Sequence, residues 1–156
     1  MKIRAFQETD CPAILKIAEE SFSLPWSLKS FQEEIASRIS QLKVAELSGE
    51  VVGYVLYRTV VDEAEILSIA VKPEKRRKGI ATALLKEALK DIEKTANVCF
   101  LEVRVSNKEA IGLYAKLGFR ITGLRKKYYL FPEEDAFVME YKFNPNKEQK
   151  ICCDLT

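Results

Sequence analysis

The sequence predicts a single mixed α/β domain with a seven-stranded, mostly antiparallel sheet flanked by four helices. Strand-like segments occur in pairs joined by short turns near both ends of the chain, and helix-like segments connect strands in the middle. The 156 residues, of which 47% are hydrophobic, are also enough for one core. We therefore expect residues 1–142 to form the domain and residues 143–156 to form a polar tail.

In the first half, turn and cap residues separate the predicted elements. Thr9-Asp10 followed by Pro12 is typical of a helix start, and this first helix extends to about Phe22. Pro25 separates it from a second helix, which Ser27 can cap. Alternating apolar residues predict strands at 2–6, 41–47, 51–61 and 65–71.

In the second half, a wide apolar face marks the third helix, which ends near Thr95. Its apolar residues recur every four positions, at Ile80, Leu84, Ala88 and Ile92. A fourth helix begins after the cap pair Ser106-Asn107 and ends at Gly118. Strands are predicted at 99–105, 120–130 and 136–142, the first of them central because of its β-branched and aromatic residues.

The whole sequence is organised around the corner between the strand at 65–71 and the third helix. Four consecutive cations, Lys75 to Lys78, precede Gly79 at the helix start. The first N–H groups of a helix lack intrahelical partners and carry partial positive charge, so this corner is typical of a phosphate-binding site. The alternatives are a solvated charged surface and a nucleic-acid patch, but 25 Lys and Arg against 23 Asp and Glu do not make a basic domain.

Composition limits the chemistry and the location. No window approaches 18 uninterrupted apolar residues and the N-terminus lacks a signal-peptide pattern, so we expect a cytoplasmic protein without membrane or nucleic-acid binding. The chain has no histidine, and its four cysteines lack framework spacing, which indicates reduced thiols and no metal site. Acid-base chemistry must then use carboxylate, tyrosine, thiol or amine groups.

Several stretches together resemble the GCN5-related N-acetyltransferase (GNAT) family. The family's (Q/R)xxGx(G/A) signature is matched by residues 76–81, with Ala81 at a position where many members have glycine. Within the family, the chain resembles the RimI type of protein N-terminal acetyltransferase. This resemblance covers most of residues 1–142 and rests on LPWS at 24–27, DEA and SIAV within 62–71, LEVRVSN at 101–107, LYAKLGF at 113–119, and RKKYY with a later EDA within 125–136.

The resemblance implies a GNAT fold and acetyl-CoA as cosubstrate. The strand backbone would pair with the pantetheine arm, and the turn at 77–82 would hold the pyrophosphate. Asn107 is either a contact to the pantetheine arm, a plain helix cap, or both. The predicted cofactor-binding residues are Ile69, Ala70, Val71, Arg77, Lys78, Gly79, Ile80, Ala81, Thr82 and Asn107.

The resemblance also implies two catalytic residues. Glu102, on the strand face opposite Leu101 and Val103, would be the general base, with an ion pair to Arg104 as the alternative interpretation. Tyr114 would be the general acid that protonates the coenzyme A sulfur, whereas its place on the apolar helix face is equally typical of a core tyrosine. An acetyl-cysteine route through Cys99 is disfavoured because no histidine can activate the thiol.

The implied acceptor is a protein or peptide N-terminus, with a ribosomal protein as one candidate. An α-amine has a pKa near 8 and lysine about 10.4, so a modest base suits the α-amine better by roughly 3.5 kcal/mol at pH 7. We expect Trp26 and Tyr129 to contact the peptide, although Trp26 is also placed to anchor the first two helices. The other two classes are an acetyltransferase for a small amine or internal lysine, and a non-catalytic binding module.

Overall fold

The computed structural model describes residues 1–143 and contains seven strands and four α-helices in the predicted order. The elements are β1 (Lys2–Ala5), α1 (Cys11–Ser21), α2 (Leu28–Ala36), β2 (Ser40–Leu47), β3 (Glu50–Val60), β4 (Glu63–Val71), α3 (Ile80–Ile92), β5 (Val98–Arg104), α4 (Lys108–Leu117), β6 (Arg120–Leu130) and β7 (Glu133–Lys142).

All seven strands form one sheet in the order β1-β2-β3-β4-β5-β7-β6. Neighbouring strands are antiparallel except β4 and β5, which are parallel. This central pairing covers only three positions, Glu63 with Val98 to Glu65 with Phe100. Beyond Glu65 the two strands are no longer paired, so the middle of the sheet is open towards the end of β4.

Local sequence signals explain the helix ends. The Ser27 hydroxyl accepts the Ser30 amide at 3.1 Å, and the Asn107 side chain accepts the Ala110 amide at 3.2 Å, so both predicted caps are present. Gly118 ends α4 in the left-handed conformation, with φ 111°. These contacts satisfy amide and carbonyl groups that a helix end leaves unpaired.

The sheet is covered on both faces. Helices α3 and α4 pack on one face over a core that includes Leu84, Leu85 and Leu101. Helices α1 and α2 pack on the other face over β2, β3 and part of β4, with Phe31 and Tyr54 at the centre. Helices α1 and α2 leave β5 and β7 uncovered on their face of the sheet, and Glu102 lies on this uncovered part.

Six of the seven strands begin within two residues of the predicted position. The exception is β7, which begins at Glu133 rather than at 136. Phe143, assigned to the tail, is buried in the core, and its amide donates to the Asn97 carbonyl at 2.9 Å. The rest of the predicted tail, with both of its cysteines, lies outside the described residues. No helix among residues 1–143 is long and apolar enough to cross a membrane.

Strand β6 is an outer edge of the sheet and is irregular. Its pairing with β7 shifts register between Ile121 and Gly123 and again between Arg125 and Tyr129. Within the second shift, Lys127 has a positive φ of 53° and its amide donates to the Asp135 carboxylate at 2.9 Å. Arg125, which is still paired with Ala136 just before the second shift, lies 3.4 Å from Glu102.

Candidate active site

A cleft of about 600 Å³ lies between the end of β4, the start of α3 and one side of α4. It collects nine of the ten residues predicted to bind a cofactor; Lys78 is the exception among the residues described. Tyr114, from α4, lines the same cleft. Residues up to 45 positions apart, from Ile69 to Tyr114, therefore form one concave surface.

The start of α3 is built to receive an anion. Arg77 and Gly79 both have positive φ, and the amides of Ile80, Ala81 and Thr82 precede the first intrahelical bond, from the Ala83 amide to the Gly79 carbonyl. A Cβ built on Gly79 would meet no described atom within 4 Å, so the backbone faces open space there. Free amides and the helix dipole together favour a phosphate group at this position.

The four cations of the corner do different things. The Arg76 guanidinium is used within the fold: it donates to the Val71 carbonyl at 2.9 Å and to the Ser21 hydroxyl at 3.0 Å. Arg77 is largely exposed, and its Nε lies 3.6 Å from a Glu109 carboxylate oxygen. The run of four cations, Lys75 to Lys78, was predicted to act as one basic patch. In the structure, Arg76 instead stabilises the corner between β4 and α3.

Asn107 can serve both predicted roles. Its Oδ1 caps α4 by accepting the Ala110 amide, and its side chain lines the cleft. Because the cap uses only the oxygen, the amide NH2 group stays available as a donor to a ligand. The structure therefore makes the two interpretations compatible.

Glu102 lies on the uncovered face of β5, as strand alternation predicts, and its side chain is 15% exposed. Its ion-pair partner is Arg125 at 3.4 Å, so the alternative interpretation, an ion pair with Arg104, is wrong; Arg104 pairs with Glu134 at 3.4 Å. Burial raises the pKa of Glu102, the Glu65 carboxylate raises it further, and Arg125 opposes the rise. A carboxyl group with a raised pKa is a better proton acceptor.

Tyr114 and Glu102 belong to the two sides of the opening between β4 and β5. The Tyr114 ring is 8% exposed, and burial raises the pKa of its phenol, with the nearby Tyr129 hydroxyl adding to the rise. Burial likewise raises the pKa of Tyr129 to about 12, and Glu102 is among the groups that raise it. Tyr129 therefore lies near both the cleft tyrosine and the carboxylate.

Two loops meet beside this opening. The Ser23 hydroxyl, between α1 and α2, donates to the Phe131 carbonyl in the turn between β6 and β7. Leu24, Leu130 and Phe131 are each at least 60% exposed, so the joined loops present an apolar surface to solvent. Exposed apolar residues grouped in this way are typical of a binding surface.

The surroundings of Trp26 and Cys99 indicate that both residues have structural roles. The Trp26 ring lies 5.4 Å from the Phe31 ring in the core between the first two helices, which is the anchoring role considered from sequence. Cys99 is fully buried, and burial raises its pKa to about 12, so its thiol is a poor nucleophile.

Sequence reasoning missed the residues around Glu102. A cavity of about 360 Å³ beside it is lined by side chains from five strands, among them Arg58, Glu63, Glu65 and Arg125. Arg125 stood within a noted stretch but had no assigned role. Glu65 and Arg58 gave no local signal, because only the pairing of β3, β4 and β5 brings them to Glu102.

An open, mixed sheet with an anion-binding helix start on one side and a buried carboxylate on the other defines an acyltransferase. The chain belongs to the acetyltransferase (GNAT) family, whose family model matches residues 11–119. The fold class and the family expected from the sequence are thus confirmed.

Two relatives and one solved structure show which members of the family the chain is similar to. The chain is 34% identical over 140 residues to the [ribosomal protein bS18]-alanine N-acetyltransferase of Escherichia coli K12, covering 88% of this chain and 94% of that protein. It is 37% identical over 152 residues to an N-alpha-acetyltransferase of Sulfurisphaera tokodaii, covering 88% and 90%. The crystal structure of the E. coli ribosomal-protein-S18-alanine N-acetyltransferase superposes with a TM-score of 0.84 at 33% identity, covering 90% and 92%.

Proposed function

We propose that the protein transfers an acetyl group from acetyl-CoA to the free α-amine of a protein N-terminus, directly and within a ternary complex. The observation that carries the proposal is the opening between β4 and β5, which separates an anion-binding cleft from a carboxylate whose pKa is raised. The names of relatives of similar identity in a bacterium and an archaeon support the same activity.

The cleft residues fit the parts of acetyl-CoA. The first turn of α3 would hold the pyrophosphate, with Gly79 leaving room for it. The end of β4, Ile69 to Val71, is paired with β3 but not with β5, so on the β5 side it offers its backbone to the amides of the pantetheine arm, and Asn107 offers its NH2 group. When bound, acetyl-CoA supplies the activated acyl group as a thioester.

Glu102 would accept the proton that the attacking amine loses. The raised pKa of Glu102 is closer to the pKa of an α-amine, near 8, than the pKa of an ordinary carboxyl group is. This smaller difference favours the proton transfer. Tyr114 would donate a hydrogen bond to the departing sulfur. Because burial raises its pKa, complete proton transfer costs more than from a free phenol, so its main contribution is stabilisation of negative charge on the sulfur.

The surface beside the opening favours a peptide over a small amine. The joined loops with Leu24, Leu130 and Phe131 offer apolar contacts that a small amine would not use. Tyr129 is half-buried and lies between these loops and Glu102, so it is placed to contact the first residues of a peptide, with Trp26 supporting the loop from the core. A ribosomal protein with N-terminal alanine is one candidate acceptor.

The test is mass spectrometry of a peptide library incubated with acetyl-CoA. The library carries alanine, serine, threonine and methionine N-termini, with internal lysines and matched N-terminally blocked copies. We expect acetylation at α-amines only, and a fall in kcat/KM of about 100-fold or more in Glu102→Gln. Glu63→Gln, on the wall of the same cavity, is the matched control and should remain active.

Other products would change the proposal. Acetylation of internal lysines or of small amines alone would replace it with the corresponding acetyltransferase activity. Acetyl-CoA binding without any transfer to the library, and with equal behaviour of wild type and Glu102→Gln, would contradict catalysis on peptides.

A further inference from the structure

Glu102 is not the only carboxylate on the uncovered face of the sheet. Arg58 of β3 is the antiparallel partner of Glu65 on β4, and Glu65 is the parallel partner of Phe100 on β5. Paired residues point to the same face of a sheet, and Glu102 follows Phe100 by two positions, so it shares that face. Arg58, Glu65 and Glu102 therefore line one cavity, of about 360 Å³.

Glu65 and Glu102 each have their own arginine in this cavity. Arg58 lies 3.0 Å from Glu65, and Arg125 lies 3.4 Å from Glu102. The two ion pairs line the same cavity, with the carboxylates on the neighbouring strands β4 and β5 and the guanidinium groups on β3 and β6. Such an arrangement holds two like charges together by opposite charges on either side.

We propose that Glu65 is a positioning residue for the base, a second carboxylate that makes Glu102 hold a proton more tightly, and that Arg58 fixes it in place for this task. The inference rests on the proposed function. Glu65 acts only through Glu102: the amine loses its proton to Glu102, and Glu65 stays paired with Arg58.

Other titratable or charged groups also surround Glu102. Those on the same face or cavity wall are Arg58 from β3, Glu63 and Glu65 from β4, Arg104 from β5, Arg125, Tyr128 and Tyr129 from β6, and Glu134 and Glu140 from β7. Arg104 and Glu134 pair with each other, and Glu140 lies 3.9 Å from Lys142. Among the described groups, Glu65 is the carboxylate whose negative charge raises the pKa of Glu102.

The consequence is a base matched to an amine. A carboxyl group next to a second carboxylate gives up its proton at higher pH, so it accepts a proton from an α-amine more readily at neutral pH. Glu65 therefore increases the rate at neutral pH at the cost of activity in mild acid, where Glu102 would already be protonated.

The direct test is carbon-13 NMR titration of glutamate carboxyl groups, with Glu102→Gln used to assign the Glu102 signal. In Glu65→Gln we expect the Glu102 titration to move to lower pH by roughly 0.5–1 unit. In Arg58→Gln it should move to higher pH, because a cation is lost and Glu65 is left unneutralised. Glu63→Gln, which removes one carboxylate from the same cavity wall, should leave the titration in place.

The kinetic test uses one peptide for all variants, so that the amine's own titration cancels in a ratio. The ratio of kcat/KM for Glu65→Gln to wild type should be below one at pH 8 and should rise several-fold as the pH falls towards 5. A merely structural role of Glu65 would lower this ratio equally at all pH values.

The inference is overturned if Glu65→Gln leaves the Glu102 titration where it is in wild type, or if Glu63→Gln moves it as far. Should Glu65→Gln not fold, Glu65→Asp and Arg58→Gln answer the same question. Glu65→Asp keeps the charge, and Arg58→Gln should shift the Glu102 titration in the opposite direction, to higher pH. These outcomes are separate from failure of the proposed function, which full activity of Glu102→Gln would reveal.

Discussion

The position of the Tyr114 side chain suits two roles, that of a proton donor and that of a core residue. Its ring packs at 5.9 Å from the Phe119 ring, and the same side chain lines the cleft. Packing uses the ring, while only the hydroxyl can act on a departing sulfur. The two roles can therefore be separated by removing one oxygen atom.

For Tyr114→Phe we expect kcat to fall about 100-fold, with the KM for acetyl-CoA nearly unchanged and the melting temperature retained, because the ring still fills its place. Steady-state kinetics and thermal unfolding measure the three quantities. Tyr141→Phe is the matched control, since Tyr141 packs on the other side of Phe119. Unchanged kcat in Tyr114→Phe would leave Tyr114 a core residue.

At this scale, sequence predicts what a residue's own strand or helix determines. The face of Glu102 follows from alternation along β5, and the cap at Asn107 follows from its position before α4. The partners of Glu102 could not be predicted, because Glu65 and Arg125 come from strands whose order and register are set by the whole sheet. Arg104, the partner in the alternative interpretation, is merely the nearest cation in sequence.

Arg104 connects the elements around the peptide surface. Its guanidinium lies 4.2 Å from the centre of the Tyr129 ring and donates to the carbonyls of Pro132 at 2.9 Å and Phe131 at 3.1 Å. It also reaches the Ser23 hydroxyl at 3.4 Å. One side chain thus holds β5, the turn between β6 and β7, and the loop after α1 together.

For Arg104→Lys we expect the KM for the peptide to rise about tenfold while the KM for acetyl-CoA stays unchanged. Lysine keeps the charge but loses the planar fork that stacks on Tyr129 and contacts two carbonyls at once. Initial rates at varied peptide and varied acetyl-CoA measure both constants, with the exposed Arg120→Lys as control. A rise in the KM for acetyl-CoA instead would place the effect of Arg104 on the other side of the sheet.

Elements were predicted well because caps, turns and periodicity are local. The opening between β4 and β5 was not predictable in this way, since both strands look regular in sequence and only their pairing shows where they part. Likewise, the apolar residues of the two loops near Ser23 and Phe131 become one surface only through a contact between positions 108 apart in the chain.

At the scale of the whole molecule, the N-terminal ten residues are tied to the sheet by charge. Arg4 on β1 donates to Glu46 on β2 at 2.6 Å and to both carboxylate oxygens of Asp10 at 2.8 and 2.9 Å. Asp10 is almost fully buried, and its hydrogen bonds with Arg4 lower its pKa below the ordinary value. Its charge is therefore matched by a partner inside the fold.

We expect Asp10→Asn to lower the free energy of unfolding by about 2 kcal/mol at pH 7, because a charge-assisted contact is lost. A carboxylate with a lowered folded pKa contributes stability above its unfolded pKa, about 3.9, and loses it as the pH falls through the folded pKa. The difference from wild type should therefore shrink below about pH 4. Urea unfolding at pH 7 and in acid measures it, with Glu8→Gln as control; an equal difference at both pH values would rule out the carboxylate charge as its source.

The irregular outer strand β6 has a consequence for behaviour at high concentration. A straight edge strand can accept a strand from another molecule and so begin aggregation. Here two register shifts and a positive-φ lysine break the ladder, and Arg120, Arg125, Lys126 and Lys127 place like charges along it. The irregular strand that supplies Arg125 to Glu102 therefore also discourages neighbouring copies of the chain from joining their sheets edge to edge.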